Sequence, residues 1–560
     1  MNSVESHKIM PNQGGISVWQ RKVKWGILLA AFLALWLGSQ AVTQAAPLSA
    51  QVTRIYGQTR IETAIQISQE GWKSAQTVLL ARADDFPDSL VSVPLSKRLD
   101  APILLTYPAE IDPGVIEEIK RLGAEHVIIL GGAGVMGEQI TKPLENAGLR
   151  WERIGGKDRY DTAVQVAERL GGNGQVILTN GENFPDALAI GPYAGFTETP
   201  ILLTASNVLP EVTHKMLQEY GAYSLDNGAE AVAKTYVIGG EGAVSPAVVE
   251  GLSGMTRIAG KDRYETAAQV QWFTQEQLGR DEEQNTDKLQ KIFLVTGRNF
   301  PDALVAGALA VKQNAFLFMS EQDKLPVMTY SAMGNAGENL WVVMVGSQAV
   351  LSSDVQSMVE GTLIPPYLLA GLTIVLDPGH GGKDTGAIGA SGMYEKNNTL
   401  PTAQYVADLL RQAGAKVVMT RTSDVAPCGS NYTELKDLQT RVNIANQINA
   451  DLFVSIHNDS FSNPEAGGIT TYISDQNTQA AKARALATAV QQEVIKQVKL
   501  QDRKVKSSNF YVVKNTTMPA ILIELGFMSN PTEEKLISSS DFQKKAAMGI
   551  YRGILSYQGI

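Results

Sequence analysis

Short apolar runs alternate with amphipathic stretches along most of the chain. Runs such as TVLLA, QVILT and KIFLV are continuous rather than alternating, which is typical of strands buried on both faces of a parallel sheet. The stretches between them have helical periodicity. The pattern therefore predicts an α/β protein built from βαβ units.

A long internal repeat fills the middle of the chain. The segment RIYGQTRIETA at Arg54 returns as RIGGKDRYDTA at Arg153 and as RIAGKDRYETA at Arg257. An apolar run and a Phe-Pro-Asp tripeptide follow each copy. A period of about 100 residues is too long for a solenoid and is sufficient for a small domain with its own core. We predict three tandem α/β domains, over residues 52–150, 151–254 and 255–360.

The repeated polar residues allow two interpretations each. The aspartates after Phe-Pro could cap a helix or contact a polymer. The repeated arginines could bind carboxylate or phosphate groups, or pair with an acidic residue of the same motif. These residues are Asp88, Asp186 and Asp302; Arg54, Arg60, Arg153, Arg159, Arg257 and Arg263; and Glu62, Asp161 and Glu265. No nucleophile lies beside a base there, so the repeats favour multivalent attachment over catalysis.

The repeats resemble the cell-wall-binding type 2 family. The resemblance rests on R-I-x-G-x-x-R, N-F-P-D-A-L and V-I-G-G and extends from Val52 to about Glu360. It implies non-covalent anchoring to an anionic secondary cell-wall polymer, with the three copies packed around a pseudo-threefold axis. Acidic residues outnumber basic ones in this region. Binding an anionic polymer would therefore need local basic grooves or a bridging cation such as calcium.

The amino-terminal segment has the pattern of a secretory signal. Arg21, Lys22 and Lys24 precede an apolar run, Trp25–Leu37, and small residues follow. The run is shorter than the roughly 20 residues that span a bilayer. We predict a signal peptide over residues 1–50, with an uncleaved anchor as the alternative. The protein is expected to be secreted and associated with the cell wall, with no stable membrane span after cleavage.

Composition narrows the possible chemistry. The chain has 560 residues, one cysteine, five histidines and a net charge of -9. A single cysteine excludes an intrachain disulfide and a cysteine-rich metal site. The negative charge argues against a nucleic-acid partner. A metal site must therefore use histidine and carboxylate ligands.

The last part of the chain carries polar residues at the ends of buried strands. A linker, residues 361–371, ends the repeats. TIVLD then leads to His380, DLFVSIH ends in His457, and AILIELG contains Glu524, while Glu395 opens a predicted helix. The carboxyl ends of strands meet at one edge of an open α/β sheet, so these four side chains can converge.

Two histidines and a glutamate with an open position form a catalytic zinc set. His380, Glu395 and His457 are the predicted Zn²⁺ ligands, and Glu524 is the predicted general base toward a water molecule. The alternative is structural: a histidine at a strand end is usually hydrogen-bonded within the core. An unpaired carboxylate in a buried strand is costly, however, which favours a functional role for Glu524.

Residues 372–560 resemble the zinc-dependent N-acetylmuramoyl-L-alanine amidases of the amidase type 3 family. Four motifs occur in order: DPGHGGKDTGAIGASGMYEK, TRTSD, RVNIANQINADLFVSIHND and FYVVKNTTMPAILIELGFMSN. The resemblance implies that His380, Glu395 and His457 bind zinc and that Glu524 is catalytic. It also implies peptidoglycan as the substrate, cut between N-acetylmuramic acid and L-alanine.

Two alternatives from other functional classes remain open. One is a surface-layer or adhesion protein with an idle amidase domain, and the other is a zinc peptidase of the stem peptide. The presence of all four polar residues argues against an idle domain. The residues that bind the substrate are not assigned.

Overall fold

The computed structural model describes residues 48–223, 233–279, 290–337 and 339–560. The predicted signal peptide lies almost entirely outside the described residues and stays a prediction. Within these ranges, no helix combines the length and apolar character that a membrane crossing requires.

The repeats contain three four-stranded parallel sheets, which confirms the predicted α/β architecture. In chain order the strands are β1 (Ala50–Ile55), β2 (Thr77–Arg82), β3 (Ile103–Thr106), β4 (His126–Leu130), β5 (Arg150–Ile154), β6 (Gln175–Asn180), β7 (Ile201–Thr204), β8 (Lys234–Ile238), β9 (Thr256–Ile258), β10 (Gln290–Thr296), β11 (Phe316–Ser320) and β12 (Leu340–Val345). The sheet orders are β3-β2-β4-β5, β7-β6-β8-β9 and β1-β12-β10-β11.

Helices cover these sheets. They are α1 (Arg60–Gly71), α2 (Val93–Leu99), α3 (Pro113–Leu122), α4 (Thr141–Asn146), α5 (Arg159–Leu170), α6 (Pro185–Thr197), α7 (Glu211–Glu219), α8 (Arg263–Gln277), α9 (Pro301–Lys312), α10 (Val327–Gly334) and α11 (Ser353–Glu360). Most of these strands are buried along almost their whole length, as parallel sheets require, whereas the edge strands β1, β5 and β9 are partly exposed.

The opening strand of each repeat belongs to the sheet of another repeat. The first sheet ends with β5, from the start of the second repeat, and the second sheet ends with β9, from the start of the third. The third sheet is completed by β1, which pairs with β12 from Ala50↔Leu340 to Ile55↔Val345. The repeats therefore form a closed ring, and the predicted limit between residues 150 and 151 falls within β5.

The centre of this ring is apolar. Helices α2, α6 and α9 contact one another there. The phenylalanines of the three Phe-Pro-Asp motifs form an aromatic cluster, with ring centroids 5.5, 5.8 and 6.4 Å apart. These are Phe86, Phe184 and Phe300. Equivalent residues meeting at one point support the pseudo-threefold packing that the resemblance implied.

The repeated opening motif is a strand–turn–helix cap. In each copy a Thr or Asp side chain accepts a hydrogen bond from the first turn of the helix, as Asp158 does from the N–H groups of Tyr160 and Asp161. The motif's acidic residue accepts from the turn, as Asp161 does from the N–H of Lys157 at 2.9 Å. The acidic residue of each motif therefore stabilises the start of its helix. The arginines of the motif have other partners.

The arginines of the motif donate to main-chain carbonyls. Arg60, Arg159 and Arg263 donate to residues that follow a strand, at 2.7, 2.6 and 2.7 Å. The other three arginines (Arg54, Arg153 and Arg257) donate to the glycine carbonyls at the end of the adjacent strand. Within the described residues these arginines form no ion pair with the acidic residue of their own motif, so that alternative is wrong. Binding of a carboxylate or phosphate group stays a prediction.

The carboxyl-terminal domain has a six-stranded mixed sheet of order β14-β13-β15-β18-β16-β17. Its strands are β13 (Thr373–Pro378), β14 (Lys416–Met419), β15 (Leu452–Asp459), β16 (Ile469–Ile473), β17 (Asp502–Ser507) and β18 (Ala520–Phe527). Its helices are α12 (Lys396–Gln412), α13 (Glu434–Gln447), α14 (Ala480–Val498), α15 (Tyr511–Asn515), α16 (Pro531–Ile537) and α17 (Ser540–Tyr557). Only the pairing of β16 with β18 is antiparallel among the described strand pairs of this sheet.

The two faces of this sheet have separate cores. Alternate residues of a strand point to opposite faces. Ile521 and Ile523 of β18 therefore pack with α12, α14 and α17, whereas Leu522 packs with α13 and α15. Glu524 has the same alternation as Leu522 and lies on the α13/α15 face, near the end of the strand.

The linker packs between the third repeat and this domain. The Tyr367 hydroxyl donates to the carbonyl of Leu325 at 2.7 Å, and Leu369 donates its N–H to the carbonyl of Ala413 at 2.8 Å. Buried side chains of the third repeat and of the carboxyl-terminal domain belong to one apolar cluster. The ring and this domain therefore share a packed contact.

Candidate metal centre

His380 lies in the glycine-rich loop after β13. Its φ is 63°, in the left-handed region that residues other than glycine rarely adopt, so its surroundings must hold it there. Two buried guanidinium groups do so. Arg441 donates to the carbonyls of His380 at 2.7 Å and Pro378 at 2.8 Å. Arg421 donates to the carbonyls of Pro378 at 3.0 Å and Gly379 at 2.9 Å.

The His380 ring is oriented by a carboxylate. Nδ1 lies 2.9 Å from Asp384 Oδ2, and Nε2 lies 3.0 Å from Glu395 Oε2. Burial alone lowers the pKa of His380, but the hydrogen bonds to the two carboxylates outweigh it and raise the pKa to about 10. Asp384 therefore fixes the ring so that Nε2 points toward Glu395.

Glu395 lies between the two histidines, at the residue before α12. It is only 3% exposed. Its Oε2 accepts from the N–H of Ala387 at 2.9 Å, and its Oε1 accepts from the N–H of Asn458 at 3.0 Å. Burial raises the pKa of Glu395, but the hydrogen bonds and charges of His380 and His457 hold it well below its usual range.

His457, near the end of β15, completes the cluster. Its Nδ1 lies 3.0 Å from Glu395 Oε1. Two glycines allow this close packing. A Cβ at Gly379 would lie 2.3 Å from Cε1 of His457, and one at Gly386 would lie 2.5 Å from Oε2 of Glu395. The sequence must therefore have glycine at both positions for the three side chains to meet.

These three residues form a possible metal site. Their candidate ligand atoms all lie within 4.8 Å of one another. A tetrahedral ion with ligand bonds of 2.0 to 2.1 Å places neighbouring ligand atoms about 3.3 Å apart. The two nitrogen–oxygen distances of 3.0 Å are close to that spacing. The donor set and its geometry thus fit a divalent metal ion.

Glu524 lies beside this cluster. On β18 it pairs with His457 on one side and with Thr470 on the other. Its Oε2 is buried and has no hydrogen-bond partner within the described part of the chain. Burial, reinforced by the charges of Glu395 and Asp459 and opposed by His380, raises the pKa of Glu524 well above its ordinary value. Such a carboxyl group keeps its proton to a higher pH than an exposed glutamate does.

A buried network of ion pairs and hydrogen bonds surrounds Asp377, near the end of β13. Asp377 is fully buried. It accepts from Arg441 and Thr420, both at 2.6 Å, and from Ser455 at 2.7 Å. Arg441 also pairs with Asp437 at 2.7 Å. These contacts give Arg441 a structural role.

The structure brings together all four residues that the sequence singled out. Sequence reasoning missed Asp384 and Arg421, which orient His380 and its loop. Asp384 had a signal, since it lies four residues after His380 in the glycine-rich motif. Arg421 had none, because its contacts are to main-chain carbonyls distant in sequence.

Comparisons with known proteins cover both regions of the chain. A family model described as N-acetylmuramoyl-L-alanine amidase matches residues 374–556. A second model, described as cell wall binding domain 2, matches residues 54–141, 153–249 and 257–356. The matched ranges follow the division between repeats and carboxyl-terminal domain.

Individual relatives agree with these matches. The chain is 29% identical over 510 residues to N-acetylmuramoyl-L-alanine amidase LytC of Bacillus subtilis, covering 90% of this chain and 94% of that protein. It is 39% identical over 195 residues to a germination-specific N-acetylmuramoyl-L-alanine amidase of the same organism, covering 34% of this chain and 81% of that protein. The solved structure of Cwp6 from Clostridium difficile aligns with a TM-score of 0.50 and 27% identity, covering 93% of this chain and 82% of that chain.

Proposed function

The chain belongs to the N-acetylmuramoyl-L-alanine amidases and carries three cell wall binding repeats, and from this premise we propose that it is a zinc amidase whose centre is His380, Glu395, His457 and Glu524. It is a cell-wall-associated hydrolase of peptidoglycan. We also propose which residues bind the metal and which act on the substrate, which cell-wall polymer the repeats bind, and that the protein is exported.

The observation that carries the proposal is the meeting of two imidazoles and one carboxylate beside a second, unpartnered carboxyl group. His380, Glu395 and His457 place their ligand atoms within 4.8 Å. Glu524 pairs with His457 across adjacent strands, and its buried Oε2 lacks a partner within the described residues. A site with a metal role alone has no need of the fourth group, which is costly to bury.

We assign the roles from these contacts. His380 through Nε2, Glu395, and His457 through Nδ1 would hold zinc, and Asp384 orients His380. When bound, zinc lowers the pKa of a coordinated water to about 7 and polarises a carbonyl. Glu524 then takes a proton from the attacking water and gives one to the leaving nitrogen. The raised pKa of Glu524 suits this exchange.

The bond cut is the amide between N-acetylmuramic acid and the L-alanine of the stem peptide. The sequence left two other functions open. A surface-layer or adhesion protein with an idle amidase domain gives no reason for a buried carboxyl group beside the metal ligands. A zinc peptidase of the stem peptide would have the same centre, but the family matches favour the amide at L-alanine.

We propose that the three repeats hold the protein on an anionic secondary cell-wall polymer. Their limits in this proposal are residues 52–150, 151–254 and 255–360, followed by the linker 361–371 and the catalytic domain 372–560. The protein is exported by the segment before residue 50. The ring supports attachment at several equivalent points, which raises avidity.

A cavity supports a local polymer contact despite the acidic surface. It lies between the first two repeats and has a volume of about 250 Å³. Its lining includes basic and acidic side chains in equal number: Arg82, Lys157 and Arg159, and Asp85, Asp88 and Asp158. Such a mixed lining can donate hydrogen bonds to an anionic polymer while its own charge stays balanced.

Metal analysis tests the catalytic proposal. The purified full chain should hold about one zinc ion, lose it and its activity to a chelator, and regain both when zinc is added. His457→Ala, which removes one ligand, should fail to regain either. Hydrolysis that resists chelation in a protein without zinc would overturn the proposal.

Sedimentation with isolated cell walls tests the proposed role of the three repeats separately from catalysis. The full-length Glu524→Gln variant should sediment with isolated cell walls without digesting them. Acid extraction of the secondary polymer should abolish sedimentation. Equal binding to extracted and intact walls would show that the polymer is not the partner.

A further inference from the structure

Two strands continue the sheet beyond Glu524, on the side away from the metal ligands. The order is β13 and β15, which lead to His380 and carry His457, then β18 with Glu524, then β16 and β17. Lys506 of β17 pairs with Tyr472 of β16, which pairs with Leu522 of β18. Lys506 and Tyr472 therefore share the face of the sheet that carries Glu524.

Lys506 is a cation close to the catalytic centre. It lies two strands and two residues from Glu524, which corresponds to about 12 Å between Cα atoms. A lysine side chain covers roughly half of that distance. Its ammonium group has no hydrogen-bond acceptor or ion-pair partner among the described residues, and Asp459 is near enough to feel its charge. The neighbouring Lys504 instead binds Asp502 at 2.5 Å.

Arg503 and two aromatic side chains lie around Lys506. The Arg503 guanidinium lies 5.0 Å from the ring centroid of Phe527 and donates to the carbonyl of Gly467 at 3.2 Å, while its buried Nε has no partner within the described chain. The rings of Tyr472 and Phe510 meet edge to face at 5.1 Å.

The charges in this group interact across the strands. Burial raises the pKa of Tyr472 first; the carboxylates of Asp459 and Glu524 raise it further, and Arg503 opposes them. Tyr472 is thus within electrostatic range of both the catalytic carboxyl group and the guanidinium.

The role of Glu524 in the proposed reaction places the stem peptide on the side of β16 and β17. Glu524 must lie beside the leaving nitrogen to give it a proton. The metal ligands occupy the opposite side of Glu524. The L-alanine nitrogen and the peptide that follows it therefore extend from Glu524 across β16 and β17.

We propose that Lys506, with Arg503 and Tyr472, forms a subsite for a carboxylate of the stem peptide beyond L-alanine. This inference rests on the proposed function, since it uses the role of Glu524 to orient the substrate. Lys506 supplies the cation, the guanidinium group of Arg503 adds positive charge, and Tyr472 with Phe510 forms the wall against which the peptide lies. The subsite selects substrates whose second residue keeps a free carboxylate.

Two soluble probes test the proposal. The carboxylate probe is N-acetylmuramoyl-L-alanyl-D-glutamate with its γ-carboxyl group blocked as an amide, which leaves one free α-carboxylate. The amide probe is the analogue in which the α-carboxyl group is an amide as well. With the zinc-loaded full chain, Lys506→Met should raise KM for the carboxylate probe about 10- to 100-fold and leave kcat nearly unchanged. It should change neither constant by much for the amide probe. Lys506→Arg should restore most of the preference.

Lys504→Met is the matched control. It lies on the same strand, its side chain is 78% exposed, and it already pairs with Asp502. It should leave both constants unchanged for both probes. An equal loss on both probes in Lys506→Met would mean that Lys506 only balances the charge of Asp459 and would overturn the proposal.

A binding measurement separates this proposal from the bond assignment. If the wild-type chain cleaves neither probe, the assigned bond fails, but the subsite is still tested by calorimetry on the Glu524→Gln variant. Lys506→Met in that background should weaken binding of the carboxylate probe about 10- to 100-fold and leave the amide probe unaffected. Unchanged binding of the carboxylate probe refutes the subsite.

Discussion

Replacing Glu524 by glutamine separates catalysis from stability. Glutamine keeps the shape of the side chain but cannot exchange a proton at neutral pH. Because general acid–base catalysis contributes roughly 100- to 10,000-fold, Glu524→Gln should lower kcat by that factor. Zinc content should stay near one per chain, since Glu524 is not among the three clustered ligands.

The same substitution should stabilise the protein. The folded state raises the pKa of Glu524, mainly through burial. An acid whose folded pKa is raised makes the protein lose stability as pH increases from its unfolded value through the folded one. Above the unfolded pKa, keeping this carboxyl group buried with an unpartnered oxygen costs about 1 to 3 kcal/mol. Glu524→Gln should therefore melt a few degrees higher at pH 7.5, with the difference shrinking toward pH 4.

The assay combines three readings: the rate of release of soluble material from sacculi and zinc per chain on zinc-loaded protein, and melting temperature of the metal-free protein at pH 7.5 and 4. Glu534→Gln is a matched control, because Glu534 is also buried but binds the N–H and hydroxyl of Ser391. It should melt lower and keep its rate. A folded Glu524→Gln enzyme with more than about a tenth of wild-type activity would refute the catalytic role.

Three other substitutions test separate parts of the account. Gly379→Ala should lose zinc and activity, because its Cβ would lie 2.3 Å from the His457 ring, as metal analysis can show. Arg441→Met should lower the free energy of unfolding by about 3 to 5 kcal/mol, measured in denaturant, because it leaves Asp377 charged and buried. Burial, opposed by Arg263, raises the pKa of Asp186 to about 6. Asp186→Asn should therefore gain about 1 to 3 kcal/mol over wild type above pH 6, and the gain should vanish near pH 4 in pH-dependent melts.

Each of these expectations has a contradicting result. Full zinc content in Gly379→Ala would mean that the loop moves without cost. A stability loss under 1 kcal/mol in Arg441→Met would show that solvent or another group compensates Asp377. A gain for Asp186→Asn that is independent of pH would show that titration of Asp186 is not its cause, and lost wall binding would favour polymer contact.

The sequence predicted that the residues of the candidate metal centre lie together, because the signal for this is local. Each of His380, His457 and Glu524 follows or ends a continuous apolar run, and the ends of adjacent strands must lie together. Register confirms this directly, since His457 pairs with Glu524. Glu395 was predicted as the start of a helix and lies at the residue before α12.

The strand exchange in the ring could not be predicted. The sequence of β1 carries no information about its partner, and that partner, β12, begins 290 residues later at Leu340. The same limit applies to the arginines, whose acceptors are main-chain carbonyls. Any residue type offers such a carbonyl, so the sequence favoured an acidic partner instead.

The residues of the proposed subsite were not predicted from the sequence, for a related reason. The role proposed for Lys506 and Arg503 depends on the position of β17 relative to Glu524. The antiparallel insertion of β16 next to β18 sets that position. Neither the periodicity nor the spacing of the residues specifies it.

The most direct test of the central claim is the identity of the products. Purified sacculi should be digested with the zinc-loaded full chain and the products analysed by mass spectrometry. The account predicts peptides that begin with the free amino group of L-alanine, and glycan strands whose muramic acid keeps a free carboxylate. Fragments cut within the stem, or complete stems still joined to glycan after prolonged digestion, would contradict it.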